Sequence, residues 1–265
     1  MKELETFLAS LGIGLSLGFM GAGGSILTIP VFVYVLKKDP LSSGVYSMFV
    51  VGMSSMAGTI QSIFNKIVDF KVAATFGLPS VAGVLVARKL ICPMIPVRLF
   101  SVGTFSVSKS MVFMLCLSFL MFLSALKMLK PGVNNIDERE ELDKPATALL
   151  LLRGFMVGTI TGLLGIGGGF LVVPALYFLA RLPVKTAIGT ALVIITINSL
   201  FSFLTSYGST DLDWLLLVKF SLGAIVGIII GTRLSQKIQG AYLKKIFGWF
   251  VLSISFYIVY KEFFL

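Results

Sequence analysis

The sequence predicts an all-α, polytopic membrane protein, and three observations carry that prediction. Mean hydropathy is +0.99 over 265 residues, with 57% hydrophobic and 13% charged, well outside the range of a water-soluble domain. The charges fall between long apolar runs, leaving room for about eight spans of roughly 20 to 25 residues each. Thirdly, Gly18 to Pro30 (GFMGAGGSILTIP) recurs 144 positions later as Gly162 to Pro174 (GLLGIGGGFLVVP). Lys2, the apolar run from Phe7 and the small residues Ala22 to Ser25 resemble a secretory leader, but a segment repeated in mid-chain is architecture.

Charge punctuation gives the elements in order: 6–36, 44–64, 71–91 and 99–129, then 147–180, 186–206, 213–235 and 243–261. Their lengths suit helices crossing lipid, where each backbone amide must find its partner within the helix. The repeat runs on through them. Pro40 falls opposite Pro183 and Ser47 opposite Thr190, after a slip of one residue in the loop. Asp69-Phe70 matches Asp213-Trp214, Gly83 matches Gly227, and Ala87 matches Gly231. Two homologous four-helix repeats follow, 1–130 and 146–265, joined by the polar linker 131–145 with its acids Asp137, Glu138, Glu140, Glu141 and Asp143. The fourth stretch, with Ser101 to Lys109 unmatched in the second half, has the least definite boundary.

Composition excludes several chemistries. Histidine is absent, and Cys92 and Cys116 are the only cysteines, so imidazole-based zinc sites, cysteine clusters and Ser-His triads are ruled out. The two thiols are expected to be buried and inert. No P-loop pattern occurs, the glycine runs lack dinucleotide-fold spacing, and no cofactor is expected. The net charge of +10 sits mainly at the ends of apolar runs, which suits anchoring rather than nucleic-acid binding. The acids fall near ends, loops or the linker, which disfavours cation transport, and Lys109, Arg153 and Lys219 can snorkel.

Loop charge orients the chain. Lys37, Lys38, Arg88, Lys89 and Arg98 have their counterparts in Arg181, Lys185, Arg233, Lys237, Lys244 and Lys245. By the positive-inside rule these equivalent loops are cytoplasmic in both halves, which favours parallel repeats with both termini extracytoplasmic. An odd number of crossings per half, hidden by a re-entrant segment at the glycines, would invert them.

The chemistry is expected at the glycines of each first helix. Gly21, Gly23, Gly24 and Ser25, with Gly165, Gly167, Gly168 and Gly169, interrupt stretches too long to be continuous helices. Each interior glycine costs about 1 kcal/mol relative to alanine, so clusters at matching places predict unwinding. The half-helix that restarts there offers amide donors and a partial positive charge, which suit an anion. Close helix packing is the competing reading, best seen in Gly14 with Gly18 and Gly227 with Gly231. Second-helix hydroxyls and amides complete the expected site: Ser47 and Ser55 in the first half, Thr190 and Asn198 in the second, with Ser54, Thr59, Thr196, Ser199 and Ser202 nearby. Asn198 is the most costly of these to leave unpaired in lipid.

On Gly21, Gly23, Gly24 and Pro30, repeated as Gly165, Gly167, Gly168, Gly169 and Pro174, with Ala187-Ile188-Gly189-Thr190 and Asp213-Trp214, the chain resembles the TauE/SafE sulfite-exporter family, which includes toluene-sulfonate uptake permeases. That resemblance implies a secondary transporter of small sulfur-containing anions such as sulfite, sulfoacetate or sulfonates, in a bacterial or archaeal inner membrane. A coupling proton or sodium ion would be a further partner besides the bilayer. The first half departs from the pattern at Ser25 and Tyr46-Ser47. An anion channel and a non-transporting scaffold are the alternatives, and an enzyme is not expected.

Overall fold

The computed structural model describes residues 2–21, 23–38, 40–94, 98–102, 105–129, 147–164, 169–209 and 212–264. The chain folds as helices: α1 (Lys2–Met20), α2 (Gly23–Pro30), α3 (Pro40–Phe64), α4 (Phe70–Val86), α5 (Cys92–Met94), α6 (Lys109–Leu129), α7 (Thr147–Leu164), α8 (Gly169–Phe178), α9 (Val184–Ser206), α10 (Trp214–Lys237) and α11 (Gly240–Phe264). Wider π-helical turns at Val31–Val35 and Ala87–Ile91 extend α2 and α4. A short antiparallel hairpin, β1 (Arg98–Val102) with β2 (Phe105–Ser108), occupies the start of the stretch expected as helix over 99–129. Among the described residues, five helices are long and apolar enough to cross a membrane: Ser42–Phe64, Phe70–Ile91, Val184–Ser206, Trp214–Lys237 and Gly240–Lys261. The linker 131–145 lies outside the described residues.

Polarity is reversed relative to a water-soluble protein. Ser47, Ser54, Ser55, Thr190, Asn198, Ser199 and Ser202 are buried, while Phe64, Leu78, Leu204, Leu215 and Trp249 are exposed. Hydroxyls in the interior bond mainly to the carbonyl one helical turn back, as Ser54 to Val50 (2.6 Å), Thr28 to Gly24 (2.7 Å) and Thr232 to Ile228 (2.8 Å). These hydroxyls therefore enter an apolar core with their donors met, whereas Ser47, Ser62 and Ser221 have no partner among the described residues. A surface of this kind is favourable against hydrocarbon and would aggregate in water.

Glycine sets the packing. In α1 and α10 a Cβ added at Gly14 would strike the Ala224 backbone, and one at Gly18 that of Ile228. Contacts advance together, so α1 and α10 run parallel. Gly154, Gly158 and Gly162 of α7 sit in the same way against Phe76, Ser80 and Val84 of α4. Small residues let these backbones touch, which is where dispersion gains in lipid are largest.

The middle helices pair in the opposite sense. Gly52 lies against Leu200 and Gly58 against Leu192, with Phe49 and Phe203 5.0 Å apart, so α3 and α9 are antiparallel. Ser118 and Ser255 meet at 3.0 Å and Gly248 packs on Leu129, making α6 and α11 antiparallel as well. α9 lies deepest, 67% buried over its apolar window against 39% for α11.

The stretches 6–36 and 147–180, expected as single broken crossings, double back instead. After Met20 the chain turns at Gly21, with φ +72°, and α2 returns along α1 until Gly24 lies against Ile13 and Leu17. In the second half, Arg153 Nη1 near the start of α7 donates to Leu179 O just beyond α8, 2.6 Å away. Matching bonds close both returns: Leu36 N to Val31 O and Lys38 N to Phe32 O, then Ala180 N to Ala175 O and Leu182 N to Leu176 O. Lys37 (φ 52°) and Arg181 (φ 56°) hold the same left-handed conformation at those ends.

This geometry corrects the loop-charge expectation of parallel repeats. α3 and α9 occupy matching places in the sequence and run in opposite directions. Arg88 bonds Ser206 at one end of the bundle, and Lys185 Nζ bonds Gln236 O at the other. The basic loops therefore divide between the two ends, called below the Lys37 end and the Arg181 end. Loop charge misled because a short returning helix adds a reversal without adding a charged loop. Arg153 donates to the Leu179 carbonyl just beyond α8, and Cys116, expected buried, is exposed on α6.

Candidate functional site

The turn at Gly21 sits against the second half, because a Cβ there would lie 2.8 Å from Ile188 Cγ2, two residues before Thr190. Beyond it α2 begins at Gly23, and Ser25 is fully buried. The first amides of any helix have no partner within it, so a start inside the bundle is the place for an external acceptor. Gly24 has a different occupation: its missing side chain lets α2 lie on α1. Gly165, Gly167 and Gly168 lie outside the described residues, and Gly169 opens α8.

Thr190 and Asp69 join the halves. Asp69 caps α4 through Oδ1, which accepts from Val72 N at 3.0 Å, while its own N–H donates to Thr190 Oγ1 at 3.0 Å. Asp213 caps α10 in the same manner at Leu216 N (3.0 Å), and its N–H donates to Tyr46 OH at 2.6 Å. Each cap thus binds a hydroxyl on the second helix of the other half. In the first half the tyrosine takes this bond, and the adjacent Ser47 Oγ is buried without a partner among the described residues. At the matching place Gly189 leaves space for the Ile67 carbonyl.

Between these ends runs a line of polar groups along the α3–α9 contact. Thr196 Oγ1 lies 3.0 Å from Ser55 Oγ, 3.1 Å from Thr59 Oγ1 and 2.7 Å from Leu192 O. Ser55 Oγ also donates to Val51 O at 2.5 Å. Asn198, 1% exposed, donates from Nδ2 to Ser80 Oγ at 2.8 Å, and its Oδ1 has no partner among the described residues. An amide oxygen and a hydroxyl left unpaired in a low-dielectric interior each cost about 1–3 kcal/mol; the Ser47 hydroxyl can donate to an oxyanion, whereas the Asn198 oxygen can only accept and suits a donor.

The expected site residues are therefore only partly gathered. Ser55 meets the turn of α9 that carries Thr196 and leads to Asn198, and Gly21 lies near Thr190. Ser47 and Thr190 are at opposite ends of the antiparallel pair, so the set traces a path rather than one pocket. Tyr46, Asp69, Ser80 and Arg88 were missed by sequence reasoning. The caps had a visible signal, since Asp69 and Asp213 match across the repeat. Ser80 had none, standing opposite Ala224.

Comparison with known proteins finds relatives named as probable membrane transporters. A probable membrane transporter protein of Xylella fastidiosa is 27% identical over 272 residues, covering 98% of this chain and 97% of the relative. The probable membrane transporter protein YunE of Bacillus subtilis is 25% identical over 279 residues, covering 98% and 99%. One from Methanocaldococcus jannaschii is 36% identical over 115 residues, 41% of this chain and 43% of the relative. No solved structure matches. The model of the sulfite exporter TauE/SafE family matches residues 6–258, so with its apolar helices and doubled glycine segments this chain belongs to that family of multi-pass membrane transporters.

Proposed function

We propose that this protein is a secondary permease that carries small sulfur-containing anions, of the sulfite, sulfoacetate or sulfonate class, between two inverted four-helix units, 1–130 and 146–265. The observation that carries the reading is the reversal at Gly21, which starts α2 within the bundle against α9 of the other half. Matching closures at Lys37 and Arg181, and matching caps at Asp69 and Asp213, support the duplication. The antiparallel run of α3 and α9 supports an axis lying in the membrane plane, the arrangement that lets one unit rock against the other.

In this reading the amides at Gly21, Gly23, Gly24 and Ser25, with their counterparts Gly165, Gly167, Gly168 and Gly169, replace the water around the anion. Ser47, Ser55, Thr190 and Asn198 contact it in passage. The membrane is the cytoplasmic (inner) one, with a proton or sodium ion as coupling partner, and chemistry on the solute plays no part. Saturable counter-transport separates this carrier from a channel, and total indifference to anions would favour a scaffold.

The test is uptake of sulfite, sulfate, thiosulfate, sulfoacetate, taurine and carboxylates into proteoliposomes, with thermal stabilisation of the purified protein by the same panel. Gly167→Leu with Gly168→Leu is expected to abolish uptake and leave membrane insertion intact. Undiminished uptake in that double variant would remove the mechanism.

A further inference from the structure

An arginine lies at each end of the inverted units, the two one residue out of register, since Arg88 falls opposite Thr232 and Arg233 opposite Lys89, and their surroundings differ. At the Lys37 end, Arg88 follows the end of α4 within a π-helical turn, a local widening often found at functional sites. Its Nη1 donates to Ser206 Oγ at the end of α9, 2.5 Å away, and its Nε is buried without a partner among the described residues. At the Arg181 end, α10 and α3 take the places of α4 and α9. There Arg233 is exposed and, with Gln61, Asn65 and Gln236, lines an open cleft of about 400 Å³ whose apolar walls are Ala57, Ile60, Phe64 and Ile229. Gln61 Oε1 and Gln236 Nε2 are both buried in this region with no partner among the described residues. Either amide can turn to present its NH₂ group, so the cleft offers a guanidinium and up to three amide donors to one small oxyanion.

We infer that Arg88 and Arg233 form a pair of oxyanion gates, one at each membrane face, and that the structure holds the Arg233 gate open and the Arg88 gate shut. This rests on the permease reading and extends it. Arg233 with Gln61 and Gln236 receives a sulfonate- or carboxylate-class anion at the Arg181 end. Arg88, held by Ser206, has its guanidinium closed against the end of α9 until the units rock, when Ser206 releases it to receive the anion. Guanidinium rather than ammonium suits this exchange, since its planar donors match an oxyanion's edge.

The experiment uses the full chain with Cys92 and Cys116 replaced by serine and bearing Gln61→Cys, with or without Ser206→Ala, in phosphatidylcholine proteoliposomes. Modification rates are compared for a sulfonate-bearing and a quaternary-ammonium-bearing methanethiosulfonate. At Gln61→Cys the sulfonate reagent is expected to react at least about tenfold faster than the cationic one, the scale of enhancement a focused surface field gives. Arg233→Gln should erase that preference, sulfoacetate should slow the reaction, and adding Ser206→Ala, which frees Arg88, should slow modification at Gln61→Cys by shifting the protein toward the state open at the Lys37 end. Equal rates for the two reagents at Gln61→Cys, or a preference that survives Arg233→Gln, would overturn the site. An unchanged rate with Ser206→Ala would overturn the open and shut assignment. Protection by phosphatidylglycerol but not by sulfoacetate would assign the cleft to a lipid headgroup and overturn the gate. Because modification is read without transport, charge-selective labelling with no uptake of any anion would leave the oxyanion site standing and reject the permease reading.

Discussion

Gly12 and Gly14 lie on the same helix, yet they answer to different forces. Nothing lies within 4 Å of a Cβ added at Gly12, whereas one at Gly14 meets the Ala224 backbone. Gly12→Ala is therefore expected to be neutral or to raise stability by up to about 1 kcal/mol through helix propensity. Gly14→Leu must push α1 from α10 and should sharply lower the yield of folded protein, measured by size-exclusion profile and melting temperature in detergent. Equal behaviour of the two variants would contradict the parallel seam. Asn198 poses the finer question of how much of a residue is structural. Asn198→Ala and Ser80→Ala each break the same 2.8 Å bond, so a double-mutant cycle on melting should return a coupling of roughly 0.6 kcal/mol, the average for such bonds in membranes. If Asn198 also touches the solute, Asn198→Ala lowers transport much further than Ser80→Ala. Similar loss in both would reduce Asn198 to a strut. The glycines were legible as interruptions, but sequence could not assign Gly24 to packing and Gly21 to a turn, because that depends on which backbone comes to lie beside each.

At the scale of elements, the capping aspartates show why the halves need each other. The side chain of Asp69 secures the first turn of α4, and its N–H reaches across to Thr190. Asp69→Ala is expected to cost about 1 kcal/mol, as loss of an N-cap does, with Asp213→Ala costing a similar amount at α10. Thermal unfolding in detergent reads both, and no change in either would argue that these caps are idle. Thr190→Val should deprive Asp69 N of its acceptor and lower stability further than Ser47→Ala, since the Ser47 hydroxyl has no bond to lose. Helix identity was read well from apolar run length over α3, α4, α9, α10 and α11. Helix direction was not: the return of α2 depends on one left-handed glycine and on backbone contact between helices, neither of which changes hydropathy. The hairpin β1–β2 was hidden for a similar reason, since its residues are as apolar as a helix end.

For the molecule as a whole, the direction of each helix fixes where the ends emerge. α1 enters from the Lys37 end in parallel with α10, and α11 returns to that end after α10. Tags at the N- and C-termini should therefore be accessible from the same face of sealed vesicles, as protease protection will report. Opposite accessibility would refute the helix directions. Mean hydropathy of +0.99 determined, without any coordinates, that this is a helical membrane protein, and the doubled glycine segment supplied the expectation of a duplicated design. Those properties are sums over residues and survive without knowledge of contacts. Tertiary structure alone decided that α3 and α9 run opposite ways, and that the polar groups are spread along their contact rather than gathered in one place. The physical reason is that direction and proximity arise where backbones touch, and a glycine looks the same in sequence whether it bends a chain or makes room for a neighbour.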